Sequence, residues 1–333
     1  MANYDVVALG NALVDKEFLI DDAFLAQQGI EKGVMTLFES EQQQALLDSL
    51  YKSYPLRKKA GGGSAANSMV TLAQFGGRPF YCCKVGNDEL GQFYQQDLSE
   101  AGVAHRLESQ DTPGETGKCV VLITNDAERT MCTHLGITTD FSTQELHREV
   151  LEAAQYLYIE GHLVYSPAAV EAILEAKQLA RQAGIKIALT ISDPAVVKYA
   201  REHLEQVLGE DGVDLLFCNQ DEVTDFGKDG GFEAGLVQLQ QLSPVVVVTQ
   251  GKQGATVYHG QEQVAVQAYP VKPVDTTGAG DTFAGAFLYG ITHGMDYAQA
   301  GDLASRSAAE CVANFGPRLS RKQQDAILTQ YQS

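Results

Sequence analysis

Residues 274–287 read VDTTGAGDTFAGAF. Two aspartates, Asp275 and Asp281, bracket two threonines and Gly278-Ala279-Gly280, and apolar residues then fall at Phe283, Ala284, Phe287, Leu288 and Ile291. That spacing marks one face of a helix, so the glycines form the turn into its first residues. The first amides of a helix have no partner inside it, and with the helix dipole they make an anion site. Glycine lets the backbone come close to a ligand. Asp281 stands within reach of the same spot. The helix terminus favours its ionised form, and a carboxylate there can accept a hydroxyl proton as an oxygen–phosphorus bond forms. An anion cradle beside a proton acceptor suits phosphoryl transfer to an alcohol. The plainer alternative is that Asp281 is simply the N-cap of the helix.

Outward from this stretch, short aliphatic runs alternate with longer amphipathic ones. Strands are expected at 5–10, 79–85, 154–160, 185–190, 213–218 and 244–249. Helices are expected at 64–76, 88–101, 167–183 and 194–208, where apolar residues recur at helical spacing. Such alternation predicts an α/β fold: a mostly parallel sheet covered by helices on both faces. Ligands of such folds bind at the carboxyl ends of the strands. Two β-rich stretches, 12–38 and 113–136, interrupt the pattern and predict a small sheet acting as a lid.

The chain has 333 residues and a formal charge of −19, with 43 Asp+Glu against 24 Lys+Arg. That balance argues against nucleic acid or an anionic membrane as partner. The six cysteines form no C-x-x-C pair, so a structural zinc site is not expected. The longest aliphatic run, 245–248, is too short to span a bilayer, and the first residues carry no signal-peptide pattern. These features predict a cytoplasmic protein with reduced thiols. No G-x-x-x-x-G-K-[ST] occurs, which excludes a P-loop mechanism. Gly61-x-Gly63-x-x-Ala66 fits a loose dinucleotide fingerprint, but it follows LRKKA rather than a buried aliphatic strand.

Residues 274–287 resemble the C-terminal signature of the ribokinase-like (PfkB) carbohydrate kinase family, and GGGSAAN at 61–67 resembles its N-terminal one. GNALVD (10–15), YIEGHLVYSP (158–167), VDLLFCNQDE (213–222) and VVTQG (247–251) match in order, so the resemblance covers nearly the full chain and is closest to adenosine kinases. It implies a three-layer α/β/α ribokinase-like unit over 1–333. The large domain would comprise about 1–11, 39–112 and 137–333, and the β lid about 12–38 and 113–136. By the same resemblance Asp281 is the general base, and the amides of Gly278, Ala279 and Gly280 form the anion hole. Arg129 matches a lid arginine that swings toward the transferred phosphate.

The resemblance also places the acceptor between Asn11, Asp15, Gly62, Gly63, Ser64 and Asn67, with His162 and Leu163 beside it. A carboxylate and an amide suit paired ribose hydroxyls. Asn219 and Glu222 match the family's Asn-x-x-Glu motif, which organises Mg²⁺ and ATP, with Glu222 acting through water. Thr249, Gly251 and Gly254 match its ATP loop, and Ala308 and Asn314 would wall the ATP adenine. A K⁺ site, where present, belongs at the 275–277 backbone. Many adenosine kinases sandwich adenine between aromatic rings; here His162, Leu163 and Ala195 stand at those places, which keeps a free sugar (ribose, fructose or 2-keto-3-deoxygluconate) open as acceptor. A non-catalytic nucleotide- or sugar-binding protein on this fold would have lost the aspartate or the glycine loop, and both remain. Family members are monomers or homodimers.

Overall fold

A computed structural model describes residues 3–107, 112–126 and 128–332. The few remaining positions of the expected domain ranges, 1, 2, 108–111, 127 and 333, lie outside the described residues. In chain order the strands are β1 Tyr4–Leu9, β2 Leu13–Leu19, β3 Met35–Leu37, β4 Leu56–Gly62, β5 Pro79–Cys82, β6 Gly117–Ile123, β7 Arg129–His134, β8 Ala154–Glu160, β9 Lys186–Thr190, β10 Leu215–Asn219, β11 Val245–Thr249, β12 Ala255–His259 and β13 Glu262–Val266. The helices are α1 Asp22–Gln28, α2 Ser40–Ser53, α3 Ser64–Gln74, α4 Glu89–Ala101, α5 Arg148–Leu151, α6 Pro167–Ala183, α7 Pro194–Tyr199, α8 Arg201–Leu208, α9 Gln220–Gly227, α10 Gly231–Leu242, α11 Ala279–Thr292, α12 Tyr297–Val312 and α13 Arg321–Gln332.

The large sheet runs β13-β12-β11-β10-β9-β8-β1-β5. Every pairing from β11 to β5 is parallel, and β12 and β13 add an antiparallel edge. Successive residues of a strand point to opposite faces, and the core divides accordingly. Val6, Ala8, Phe217 and Val247 pack with α3, α4, α11 and α12 on one side. Val7, Leu9, Cys218 and Val248 pack with α6, α8, α9 and α10 on the other. Burial on both faces is why these strands are continuous aliphatic runs rather than alternating ones. The result is a three-layer α/β/α sandwich.

Two expectations need correction. The helix foreseen over 194–208 is two helices, because Ala200 leaves helical backbone (φ −128°, ψ 23°). The break lets Val196 and Val197, and then Leu204, Val207 and Leu208, reach the same core. The small sheet, ordered β3-β7-β6-β2-β4, also draws on a third chain segment, since β4 pairs antiparallel with β2. Residues 56–62 therefore belong with the small sheet and not with the large domain. Their charged, mostly exposed residues mark an edge strand, which hides the hydrophobic signal of a β-strand. One face of this sheet packs Phe18, Val120 and Leu122 against Phe24 and Leu25 of α1 and Leu46 and Leu50 of α2. The opposite face presents Cys119, Val121, Ile123 and Met131. No helix among the described residues is long and apolar enough to cross a membrane.

Candidate active site

A cleft of about 630 Å³ lies between the small sheet and the carboxyl ends of the large-sheet strands, and Asp281 lies in its wall. Helix α11 starts at Ala279, with Gly278 in left-handed backbone (φ 74°) as its N-cap. A Cβ on Gly278 would stand 2.4 Å from the Pro317 carbonyl oxygen, so only glycine fits that turn. Asp281 is not the N-cap. Its carboxylate accepts from Ser64 Oγ at 2.6 Å and from Asn67 Nδ2 at 2.9 Å, both on α3. Ser64 likewise makes no cap of its own helix, which Gly63 begins. Burial lifts the Asp281 carboxyl to about 6, against the lowering effect of these two hydrogen bonds. Charge at a helix terminus is therefore not the dominant influence on it; desolvation is.

Gly62 and Gly63 press the backbone against Asn11 and Asp15 at one side of the cleft. A Cβ on Gly63 (φ 102°) would meet the Asn11 carbonyl oxygen at 2.2 Å, and one on Gly62 would meet the Asp15 carboxylate at 2.5 Å. Asn11 Nδ2 donates to Glu160 Oε1 at 3.0 Å, and Asn11 Oδ1 accepts from Thr138 Oγ1 at 3.2 Å. The second oxygen of Glu160 accepts from the Ala65 amide at 2.9 Å. The Asp15 carboxylate, in contrast, makes no hydrogen bond among the described residues. It faces the cleft, and burial pushes its carboxyl up to about 7, with the Arg318 charge opposing.

A second, narrower space of about 80 Å³ adjoins the first and is lined by Asn219, Glu222, Thr249, Gly280 and Asp281. Asn219 and Glu222 form a capping box at the start of α9. The Asn219 amide and Nδ2 donate to the two Glu222 oxygens at 2.8 and 2.9 Å. Burial pushes the Glu222 carboxyl up to about 8.

A family model described as pfkB family carbohydrate kinase matches residues 55–324. The chain belongs to the pfkB family of carbohydrate kinases. It is similar to the adenosine kinase of Saccharomyces cerevisiae, 29% identical with 94% of this chain and 96% of that protein covered. Among solved structures it is similar to the adenosine kinase from Sinorhizobium meliloti (32% identity, 99% and 100% of the two chains, TM-score 0.91). It is equally similar to a probable sugar kinase from Rhizobium etli (31%, 99% and 100%, TM-score 0.91). The fold is thus ribokinase-like and the protein is an ATP-dependent kinase.

Most of the expected kinase residues meet in one place. Asn11, Asp15, Gly63, Ser64, Asn67, His162, Asn219, Gly278, Gly280 and Asp281 all line the main cleft. His162 Nδ1 lies 3.6 Å from Glu160 Oε1. Burial works to lower its pKa, but Glu160, with Asp193 and Asp281, carries it above the ordinary value. Leu163 is a correction: it is 2% exposed and packs in the core beneath the sheet. The chain forms a short 3₁₀ turn over Gly161–Tyr165, and within that turn His162 and Tyr165 line the cleft while Leu163 is packed inward. Gly251, Gly254, Ala308 and Asn314 line neither space. Asn314 Nδ2 instead donates to the Glu310 carbonyl at 2.7 Å.

Arg129 is the other correction. It is paired with Asp275, and its second nitrogen lies 3.9 Å from Glu17 Oε1, with both carboxylates 1% exposed. Asp275 also accepts from the Thr277 amide at 3.0 Å and the Gly316 amide at 2.6 Å. The Asp275 carboxylate therefore already holds a cation and two N–H donors.

Glu160, Thr138, Asp193, Tyr165 and Tyr199 complete the site without having been foreseen. Ser192 joins them with a left-handed backbone (φ 78°) and accepts from the Gly161 amide at 3.1 Å. Strain of this kind in a non-glycine residue collects at functional sites. Glu160 was open to discovery, as a carboxylate ending a buried strand at the ligand-binding end of the sheet.

Proposed function

We propose that this kinase transfers the γ-phosphoryl group of ATP to the 5′-hydroxyl of a ribonucleoside, adenosine before others. The observation that carries the reading is the two-sided cleft. One side offers Asp15, Asn67 and Asp281, the polar groups that paired ribose hydroxyls and a primary alcohol need. The other offers Tyr165, Tyr199, Met35, Leu37 and Met131, an aromatic and apolar wall suited to a base. The two tyrosines supply the rings that the sequence around 162 and 195 lacked. A free sugar has no group to place against such a wall. The adenosine kinases among the relatives point the same way, and the probable sugar kinase keeps the alternative worth testing.

In this reading the acceptor hydroxyl attacks phosphorus in line, its proton passes to Asp281, and ADP leaves. The α11 amides around Gly278–Gly280 meet the charge that builds on the transferred group. The family implies Mg²⁺, which neutralises phosphate charge when bound. No cluster of three or more His, Cys, Asp or Glu among the described residues holds a metal unaided. Such an ion would take most of its ligands from phosphate and water, with Glu222 and Asn219 the residues placed to hold it. The inner face of the small sheet would act as the lid that keeps water from the reaction.

An ADP-release assay across adenosine, inosine, guanosine, cytidine, ribose, fructose and 2-keto-3-deoxygluconate tests the acceptor. Adenosine is expected to give the highest kcat/KM, and a free sugar doing so would overturn the base-wall argument. The pH profile is a second check. Asp15 and Asp281 must both be ionised, and burial raises both. The kcat/KM for the acceptor, which reports the free enzyme, should decline as pH drops through 7 and more steeply below 6. A profile flat down to pH 5 would contradict the assignment of these two carboxylates.

A further inference from the structure

Behind the acceptor site, Arg318 ties together three elements distant in sequence. Its Nε donates to Asn67 Oδ1 at 2.8 Å and its Nη1 to Asp97 Oδ2 of α4 at 2.6 Å. Asn67 is 5% exposed, and its Nδ2 donates in turn to Asp281 Oδ2 at 2.9 Å. Arg318 itself is 11% exposed and Asp97 24%, so the link from Arg318 to the buried Asn67 is largely shielded from water.

An amide side chain has one accepting end and one donating end. Its orientation is decided by what each end meets. A guanidinium can only donate, so it can face only the Asn67 oxygen, and the NH₂ group is then forced onto Asp281. With Arg318 absent only the ionised Asp281 itself would hold the NH₂ group in place, and the protonated acid could instead donate to a flipped amide oxygen. That arrangement favours the protonated form over the ionised one. We propose that Arg318, anchored by Asp97, is a positioning residue that fixes the donating end of Asn67 on Asp281. The inference rests on Asp281 as the proton acceptor for its importance to turnover, but not for its geometry.

The groups that face Asp281 are Ser64 and Asn67 on α3, Tyr158 and Glu160 on β8, His162 after it and Cys311 on α12. A change at Arg318 leaves all of them in sequence, so an altered titration of Asp281 passes through the amide, through packing or through the lost guanidinium charge itself. Two measurements separate these. The first follows the Asp281 carboxyl by ¹³C NMR of aspartate-labelled protein, with Asp281→Asn assigning the resonance. The second is the kcat/KM profile against pH.

In Arg318→Met the titration of Asp281 should move upward by about one to two units, the scale of losing one charge-assisted hydrogen bond. The acid limb of kcat/KM should move with it. Arg318→Lys, which keeps a donor, should restore part of the shift, and Asp97→Asn should produce a smaller one. In an Asn67→Ala background, Arg318→Met should add nothing to the titration. An unshifted resonance in Arg318→Met, or an equal further shift without Asn67, would overturn the inference. Failure of the kinase reading would show differently, as wild-type protein that releases no ADP while its Asp281 titration still responds to Arg318.

Discussion

Asp281→Asn is expected to lower kcat by about 10²–10⁴, the range of a lost general base, with ATP affinity unchanged. The two side chains have nearly the same shape. In the variant the introduced amide oxygen can still accept from Asn67, and the introduced NH₂ group can donate to Ser64 Oγ, so the hydrogen bonds survive with one direction reversed. The fold should tolerate the change. Burial raises the Asp281 pKa to about 6, which means the ionised form is held at a cost to the native state. A neutral isostere escapes that cost, and the melting temperature should hold or rise. Single-turnover ADP release and calorimetric ATP titration measure the two sides. Near-wild-type turnover would remove Asp281 as proton acceptor and leave the α11 amides as the main machinery.

Asp15→Ala should raise the acceptor KM far more than it lowers kcat. The Asp15 carboxylate has no hydrogen-bond partner among the described residues and stands against Gly62, where a side chain would collide with it. It is placed to bond a ligand rather than to hold the protein together. Two charge-assisted hydrogen bonds to a diol are worth about 1.5–3 kcal/mol each. Their loss corresponds to about 10²–10⁴ in kcat/KM at about 1.4 kcal/mol per tenfold. An effect confined to KM would mark binding shared by ground and transition states. Burial also raises the Asp15 pKa, to about 7, so its removal should not destabilise the fold. An unchanged KM in steady-state assays with the best acceptor would place the sugar elsewhere in the cleft.

Much of this protein was legible in order along the chain. The aliphatic runs gave β1, β5, β8, β9, β10 and β11, because strands buried on both faces must be apolar throughout. The run from Asp275 to Phe287 marked the turn into α11, because its glycines stand directly before a stretch with helical spacing, and the helix does start at Ala279. Edge strand β4 was missed for the opposite reason: its exposed Arg57 and Lys59 carry no hydrophobic signal. Among the contacts around the site, Glu160 shows the limit well. Its place at the end of β8 was visible, whereas its bonds to Asn11 and to the Ala65 amide join residues 149 and 95 positions away.

The sequence by itself determined the layered α/β architecture, the glycine loop and the aspartate behind it, since helical and strand periodicity and turn chemistry act between near neighbours. Only the tertiary structure decided which residue of the 161–165 turn enters the cleft, so that Tyr165 lines it while Leu163 is buried. It also decided that Arg129 pairs with Asp275, that Arg318 stands behind Asn67, and that desolvation governs Asp281. A side chain's direction within a short turn and the meeting of charges across the fold are set by packing against distant elements. Burial, which shifts these carboxylates, exists only once those elements have come together.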